Sequence, residues 1–269
     1  MQTYINKQRS KNLLSLSTKL WIYTNFDCNI RCSYCVAKSH PKAPRRALNM
    51  PTFKKIVNES IELGFEEIIL TGGEPFILKG IFEMLTFSSA RLPTTVLTNA
   101  MMITPICLEK LKKIENKNIL IQVSLDGSKP EHHDPYRGQG SFQKTIEGIH
   151  RLIKAGFHIR ISTTVTPANK EFIEDVCVFC RSLGISEEDH IIRQITKRGF
   201  SNEGKEVGIN NLIPEMTISN VGVYWHPLST DPDFLVRDEI FPLSKSVSLI
   251  NEKLYSISNS IDSEMEEYQ

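Results

Sequence analysis

The sequence predicts an α/β fold with a parallel sheet, and two observations carry this prediction. Short apolar runs alternate about six times with segments of helical apolar spacing between residues 19 and 195. Glycine follows several of the helical segments, where a chain often leaves a helix in the left-handed conformation. This alternation is typical of a parallel sheet covered by helices, and both an open doubly wound sheet and a barrel fit it.

Each of the first five predicted strands is followed by a predicted helix. The strands are expected over residues 19–25, 66–74, 94–99, 118–127, 158–166 and 190–195. The helices are expected over residues 50–64, 80–92, 104–116, 141–156 and 170–184. Thr104 is expected to cap the third helix with Pro105 in its first turn, and Ser141 to cap the fourth.

The length of the chain, 269 residues, suits one large domain with an appendage. We expect an N-terminal lead-in over residues 1–18, the α/β unit over 19–199 and a C-terminal extension over 200–269. Within the extension, the pattern predicts a strand over 216–225 and a helix over 244–260.

Charge and cysteine usage narrow the class of protein. A net charge of +1, from 32 basic and 31 acidic residues, predicts no nucleic-acid partner and no anionic membrane partner. No apolar run reaches the ~18 residues that a membrane span needs. Six cysteines are too few for a secreted disulfide scaffold of this length, so we expect a reducing, cytoplasmic compartment.

Three cysteines, Cys28, Cys32 and Cys35, follow the first predicted strand. In parallel α/β folds, chemistry gathers at the carboxyl ends of the strands. Their spacing lets one loop direct three sulfurs towards one centre. A structural zinc ion normally takes four ligands, and no fourth stands beside the triplet. A cubane [4Fe–4S] cluster held by three thiolates would keep one iron open for a ligand.

The cysteine spacing, with an aromatic residue just before the third cysteine, resembles the signature of radical S-adenosylmethionine (SAM) enzymes. Later strand ends carry segments similar to that family's motifs: TGGEP (71–75), TNA (98–100), SLDG (124–127) and TTVTPAN (163–169). The set is most similar to the SPASM-type branch of anaerobic sulfatase maturases and peptide-modifying enzymes, although Ala100 stands where relatives usually have glycine. The resemblance covers roughly residues 20–199 and implies a partial (β/α)6 TIM-type barrel with a small C-terminal extension.

The resemblance implies that Cys28, Cys32 and Cys35 bind a [4Fe–4S] cluster whose open iron binds SAM. It implies the following residues around SAM: Tyr34, Gly72, Gly73, Glu74, Ser124, Asp126, Arg137 and Thr164. A carboxylate at 74 suits the SAM ammonium, and a guanidinium at 137 suits the SAM carboxylate. The residues alone leave open a solvent-exposed loop arginine at 137 and a turn-forming aspartate at 126. No residue is assigned as catalytic.

Several further residues carry weaker expectations. Cys107, Cys177 and Cys180 are expected in the core, because free cysteine is among the most buried residue types. The two histidines at 132 and 133 are expected in a polar loop. For Trp225 and His226, the sequence leaves open ordinary packing and closure over a substrate.

The resemblance implies reductive cleavage of SAM to a 5′-deoxyadenosyl radical, which abstracts a hydrogen atom from a peptide or a small natural-product intermediate. Reduced flavodoxin or ferredoxin is the implied electron donor. Two alternatives stay open: an epimerase or dehydrogenase of the same family acting on a sugar, aminocyclitol or nucleoside, and a non-catalytic zinc-binding barrel. Residues 181–269 contain no cysteine, so this stretch cannot supply thiolates to an auxiliary cluster.

Overall fold

The computed structural model of the chain describes residues 16–114, 118–208 and 212–258. Most of the predicted lead-in, residues 1–18, lies outside these ranges. Within them, no helix is long and apolar enough to cross a lipid bilayer. The described residues form one continuous sheet of nine strands, with helices between them.

The strands and helices have bounds close to those expected from the sequence. The strands are Lys19–Asn25 (β1), Glu67–Gly72 (β2), Thr94–Thr98 (β3), Ile119–Ser124 (β4), Ile159–Val165 (β5), His190–Gln194 (β6), Thr217–Ile218 (β7), Val223–Tyr224 (β8) and Leu235–Arg237 (β9). The helices are Met50–Glu62 (α1), Ile81–Ser89 (α2), Pro105–Lys112 (α3), Pro130–Arg137 (α4), Ser141–Lys154 (α5), Ile173–Ser182 (α6) and Leu243–Ser258 (α7).

The first six strands are parallel and lie side by side in chain order. The order across the whole sheet is β6-β5-β4-β3-β2-β1-β7-β8-β9. At least one helix connects each strand from β1 to β5 with the next one. Six parallel strands joined by helices in this way correspond to part of a TIM-type barrel, which confirms the predicted fold class.

Helix caps agree with the sequence at α3 and differ at α5. The hydroxyl of Thr104 accepts a hydrogen bond from the backbone N–H of Cys107 at 3.2 Å, as predicted. Ser141 was expected to cap α5, but it is the first residue of that helix. The carboxylate of Asp134, within α4, instead accepts a bond from the N–H of Phe142 at 2.8 Å. The Asp134 carboxylate, a stronger acceptor than a hydroxyl, therefore takes the capping role that was expected of Ser141.

The polar loop expected around His132 and His133 is wrong, because these residues lie in the short helix α4. Two prolines within six residues argue against a helix in the sequence. However, Pro130 occupies the first turn of α4, where proline is well tolerated. The side chain of His133 is fully buried. The imidazole of His132 stacks on Phe172, with ring centroids 3.9 Å apart.

The single strand expected over residues 216–225 is instead a hairpin of two short strands. β7 pairs parallel with β1, and β8 pairs antiparallel with β7. The reversal uses the segment 219–222, where the N–H of Ser219 donates to the carbonyl of Gly222 at 2.9 Å. The helix expected over 244–260 is present as α7, and residues 259 and 260 lie outside the described residues. The extension thus continues the sheet of the barrel.

Candidate active site

The three clustered cysteines line a cavity of about 230 Å³ at the carboxyl ends of the parallel strands. Cys28 is buried, and Cys32 and Cys35 are half-buried. Among the described residues, no three His, Cys, Asp or Glu side chains lie close enough to hold a single metal ion. A cubane cluster takes each thiolate on a different iron, so its cysteines need to face a common space rather than a common point. The cysteines and the cavity therefore fit such a cluster.

Two glycines at the end of β2 hold the start of the cysteine loop. A Cβ atom added to Gly72 would lie 2.2 Å from the carbonyl oxygen of Asn25, and one added to Gly73 would lie 2.0 Å from that of Asp27. The N–H of Gly73 donates to the carbonyl of Asn25 at 2.9 Å. Any side chain at these two positions would push the loop off the strand.

Glu74 is fully buried at the wall of the cavity. Its carboxylate accepts hydrogen bonds from the hydroxyl of Thr98 at 2.8 Å and from the N–H groups of Asn99 at 2.9 Å and Phe76 at 3.1 Å. Burial raises the pKa of Glu74 to about 7, and the three hydrogen bonds oppose this rise. The carboxylate is thus fixed in direction and has room for one further donor.

The segment after β3 ties this strand to the cysteine loop. The amide Nδ2 of Asn99 donates to Oδ1 of Asn29 at 2.7 Å. Ala100 adopts a φ of +59°, the left-handed conformation that glycine adopts with less strain. A Cβ atom added to Gly148 would lie 2.2 Å from the carbonyl oxygen of Ala100. Helix α5 therefore packs directly on this turn.

Asp126 organises a buried polar cluster behind the cavity wall. Its carboxylate accepts hydrogen bonds from the phenol of Tyr34, from Nε of Arg137 at 2.7 Å and from the N–H of Thr164 at 3.0 Å. Arg137 is only 6% exposed, so it is not the solvent-facing loop arginine that the sequence left open. Because Tyr34 lies between two of the cysteines, the cluster connects the cysteine loop with the ends of β4 and β5.

The backbone of Asp126 has its own supports, which the sequence analysis did not find. Nδ1 of His133 accepts a bond from the N–H of Asp126 at 3.1 Å, and Nδ2 of Asn169 donates to its carbonyl at 2.6 Å. Burial, together with the charge of Arg137, lowers the pKa of His133 to about 4, so the imidazole is neutral. The only sequence signal for Asn169 was its place in the TTVTPAN segment.

The structure brings most of the predicted site residues to one cavity. Those that line it are Cys28, Cys32, Tyr34, Cys35, Gly72, Gly73, Glu74, Ser124, Arg137 and Thr164. Asp126 is fully buried, and its carboxylate accepts hydrogen bonds from Tyr34 and Arg137, which line the cavity.

Three further residues belong to the site and were not predicted. Gln122 and Arg193 line the cavity from β4 and β6, and the only sequence signal for them is their polar character within predicted strands. Gly199, with a φ of +64°, packs on the third cysteine. A Cβ atom there would lie 2.1 Å from the carbonyl oxygen of Cys35.

Of the residues with weaker expectations, Cys107 and Cys180 are buried in the core, as expected, and Cys177 is half-buried on α6. Trp225 is buried and stacks on Phe234, with ring centroids 4.8 Å apart. His226 is buried beside a smaller cavity of about 120 Å³, and burial lowers its pKa to about 3.

Residues 22–183 match the radical SAM superfamily. The chain is 34% identical over 159 residues to an AdoMet-dependent heme synthase from Methanosarcina barkeri, covering 58% of this chain and 45% of that protein. It is 32% identical over 159 residues to the antilisterial bacteriocin subtilosin biosynthesis protein AlbA from Bacillus subtilis, covering 58% and 35%. The chain thus spans less than half the length of these two relatives.

The fold is also similar to a solved structure, SuiB from Streptococcus suis bound to its precursor peptide SuiA. The TM-score is 0.62 at 22% identity, over 78% of this chain and 46% of that one. This similarity concerns the fold alone. The match over residues 22–183, which carry the cysteine loop and the Glu74 segment, shows that the chain belongs to the radical SAM superfamily of enzymes.

Proposed function

We propose that this protein uses a [4Fe–4S] cluster and SAM to abstract a hydrogen atom from a peptide. Enzymes of the radical SAM superfamily use both cofactors. The observation that carries the proposal is the single cavity that collects the cysteine loop, the glycine-rich segment after β2 and the ends of β4 and β5. Cys28, Cys32 and Cys35 would hold the cluster.

When bound and reduced, the cluster supplies the electron that breaks a carbon–sulfur bond of SAM, giving methionine and a 5′-deoxyadenosyl radical. The chain's own contribution is to bind and orient SAM. Glu74 faces the cavity with one acceptor position left and suits an ammonium group. The guanidinium of Arg137, held at Nε by Asp126, has further N–H donors for a carboxylate. Ser124 and Thr164 line the same wall and suit the ribose hydroxyls.

A peptide is the substrate class with the best support. One relative is a bacteriocin biosynthesis protein, and SuiB, which shares the fold, is bound to a precursor peptide. A small molecule is the second candidate, because another relative is a heme synthase. A short peptide gene beside the coding gene would favour the first candidate, and genes of small-molecule metabolism would favour the second.

The domain bounds, the electron donor and the compartment are part of the same proposal. We place the catalytic barrel at residues 19–199 and the extension at 200–269, with reduced flavodoxin or ferredoxin as electron donor. All six cysteines are free thiols, which suits a reducing cytoplasm. The net charge of +1 supports neither nucleic acid nor an anionic membrane as a partner.

The proposal is tested by anaerobic reconstitution with iron and sulfide, followed by incubation with SAM and dithionite. We expect a brown protein that bleaches on reduction and releases 5′-deoxyadenosine, measured by liquid chromatography. Cys32→Ala should abolish both properties, whereas Cys177→Ala, a matched change on the distant helix α6, should retain them. A colourless protein that binds zinc instead, or an iron-loaded protein that never cleaves SAM, would refute the proposal.

A further inference from the structure

Ser39 is a buried serine of the cysteine cavity, and its hydroxyl has no hydrogen-bond partner among the described residues. The residue is 2% exposed and lines the cavity shortly after the third cysteine. Among the described residues that carry a buried side-chain atom of this kind, only Ser39 lines this cavity. A buried hydroxyl without a partner costs stability, so a group bound in the cavity is the expected acceptor.

The backbone of Ser39 already directs one donor at a cysteine sulfur. Its N–H donates to Sγ of Cys35 at 3.4 Å. The N–H of Lys38 donates to the carbonyl of Cys35 at 3.2 Å, which closes a tight turn from this cysteine towards Ser39. The serine therefore lies directly beside a sulfur that would bind an iron of the cluster.

The turn is held in a conformation with a steric cost. Lys38 adopts a φ of +52°, in the left-handed region that residues with a side chain rarely occupy. Strained backbone of this kind persists only where the surrounding structure enforces it, and it is frequent at functional sites. The strained residue immediately precedes Ser39, so the place of the serine is set at a cost in backbone energy.

Apolar contacts restrict the turn further. Ala37 is buried in a small cluster with Tyr23 and Phe26, and Cys35 packs against this cluster. The turn is therefore held both by packing and by its hydrogen bonds to Cys35. The hydroxyl hydrogen of a serine can rotate to suit an acceptor while the residue itself stays beside the cavity.

Hydrogen-bond donors also approach a second cysteine. Nδ2 of Asn99 lies 4.0 Å from Sγ of Cys28. N–H groups thus face the sulfurs of Cys28 and Cys35, and the hydroxyl of Ser39 is a further donor at the same cavity. Hydrogen bonds to the sulfurs of an iron–sulfur cluster favour its reduced form, which carries one more negative charge, and so raise its reduction potential.

We infer that the hydroxyl of Ser39 donates a hydrogen bond to a sulfur of the bound [4Fe–4S] cluster and raises the reduction potential of that cluster. The inference rests on the proposed function, because it requires the cluster. It gives a role to a residue outside the cysteine motif. The role matters for the proposed reaction, since the cluster has to be reduced before SAM is cleaved.

The test is a redox titration of the anaerobically reconstituted enzyme without SAM, followed by electron paramagnetic resonance. Ser39→Ala removes the hydroxyl and keeps the N–H donor to Cys35. We expect a ratio of reduced to oxidised cluster about threefold lower at any fixed potential, which is a midpoint about 28 mV more negative for a one-electron couple. Iron and sulfide per chain should equal those of the unaltered enzyme.

Ser246→Ala is the matched control. Ser246, on α7, is also fully buried with no partner for its hydroxyl among the described residues, but it does not line the cysteine cavity. This variant should keep the midpoint potential of the unaltered enzyme. Ser39→Gly, which also lacks the hydroxyl, should reproduce the shift of Ser39→Ala, whereas Ser39→Thr, which keeps a hydroxyl, should retain most of the original potential.

Three results would overturn the inference. The first is an unchanged midpoint potential in a fully loaded Ser39→Ala variant, and the second is an equal shift in Ser246→Ala. The third is the failure of both Ser39→Ala and Ser39→Gly to hold a cluster, because Ser39 would then serve assembly rather than the potential.

The proposed function fails in a different way. It is refuted if the unaltered enzyme binds no cluster or never releases 5′-deoxyadenosine with SAM and dithionite. If the unaltered enzyme does both and the potential of Ser39→Ala is unchanged, only the role of Ser39 is wrong.

Discussion

At the scale of single residues, the site depends on buried polar groups that hold one another in place by hydrogen bonds. Asp126 is enclosed, yet its carboxylate holds Tyr34 and Arg137, and its backbone is held by His133 and Asn169. Each member has at least one hydrogen-bond partner within the cluster, which fixes its orientation, although Nε2 of His133 is buried without a partner. The loss of any one member removes a hydrogen bond from another buried polar group.

Replacement of Tyr34 with phenylalanine tests the link between this cluster and the cysteine loop. The change removes the phenol that donates to the Asp126 carboxylate and leaves the ring in place. We expect a loss of about 1.5–3 kcal/mol in the free energy of unfolding, since the bond involves a buried charge. Urea denaturation of the single and double variants with Asp126→Asn measures it. Additive losses would mean that the two groups do not interact.

His133 predicts a dependence of stability on acid. Its pKa is lowered from 6.5 to about 4 in the folded protein, so the unfolded chain takes up a proton more readily. Folding stability is therefore complete above pH 6.5 and falls as the pH decreases to about 4, at ~1.4 kcal/mol per pH unit.

The measurement compares the unaltered protein with His133→Asn, whose amide oxygen can accept the N–H of Asp126 without titrating. Their difference in unfolding free energy should change by about 2 kcal/mol between pH 6.5 and 5. A difference that stays constant over this range would contradict the neutral buried imidazole.

At the scale of elements, close backbone contacts decide where the cysteine loop lies. Gly199, after β6, contacts the end of this loop, and the glycine pair at the end of β2 contacts its start. The carbonyl of Cys35 also accepts the N–H of Phe200 at 3.1 Å. The loop is thus held by backbone from two distant strands, and side chains at these glycines have no room.

Gly199→Ala should therefore reduce cluster loading. Gly156→Ala is a matched control, because Gly156 has a similar φ of +77° but a Cβ there would have no atom within 4 Å. Both variants should lose about 1–2 kcal/mol of stability from backbone strain. Only Gly199→Ala should bind less iron per chain after reconstitution, measured by a colorimetric iron assay. Equal iron contents would show that the contact with Cys35 is unimportant.

The sequence predicted the regular elements better than the irregular ones, for physical reasons. Apolar periodicity and helix-ending glycines such as Gly64 and Gly156 are local signals, and they placed the six parallel strands correctly. The helix α4 was missed because prolines normally end helices, while here Pro130 lies in the first turn. The hairpin of β7 and β8 was missed because its turn is short and contains the apolar Val221.

The site was predictable only where the chain concentrates its motif residues. The cysteines and the Gly72–Glu74 segment are contiguous in sequence, and the structure places them at one cavity. The assignment of Arg193 and Gln122 to that cavity needs the register of neighbouring strands, which single-strand patterns do not contain. The burial of His133 likewise depends on which helix covers it.

At the scale of the whole molecule, the C-terminal extension is joined to the barrel through β1. Trp21 and Tyr23 on β1 donate to Glu215 at 2.7 Å and to the carbonyl of Pro227 at 2.6 Å. β7 extends the sheet beside β1, and the N–H of Leu243, at the start of α7, donates to the carboxylate of Glu59 on α1 at 2.8 Å. These contacts predict one cooperative unit.

The two tryptophans report on the two parts separately, since Trp21 lies in the barrel and Trp225 in the extension. In Trp21→Phe and in Trp225→Phe, the remaining fluorescence transition should coincide with the far-ultraviolet circular dichroism transition of the same variant. Midpoints in urea that agree within error support one unit. An earlier fluorescence transition in Trp21→Phe would mean that the extension unfolds alone.

The hydrogen bond between Tyr34 and Asp126 also bears on the order of maturation. The anchors of the cysteine loop are groups of the barrel, including this bond and the glycine contacts, and none of them is a metal. Small zinc modules behave differently, because they fold only when their ion arrives. Because these anchors are groups of the protein itself, we expect an iron chelator to remove the cluster without unfolding the barrel, which circular dichroism before and after chelation would measure.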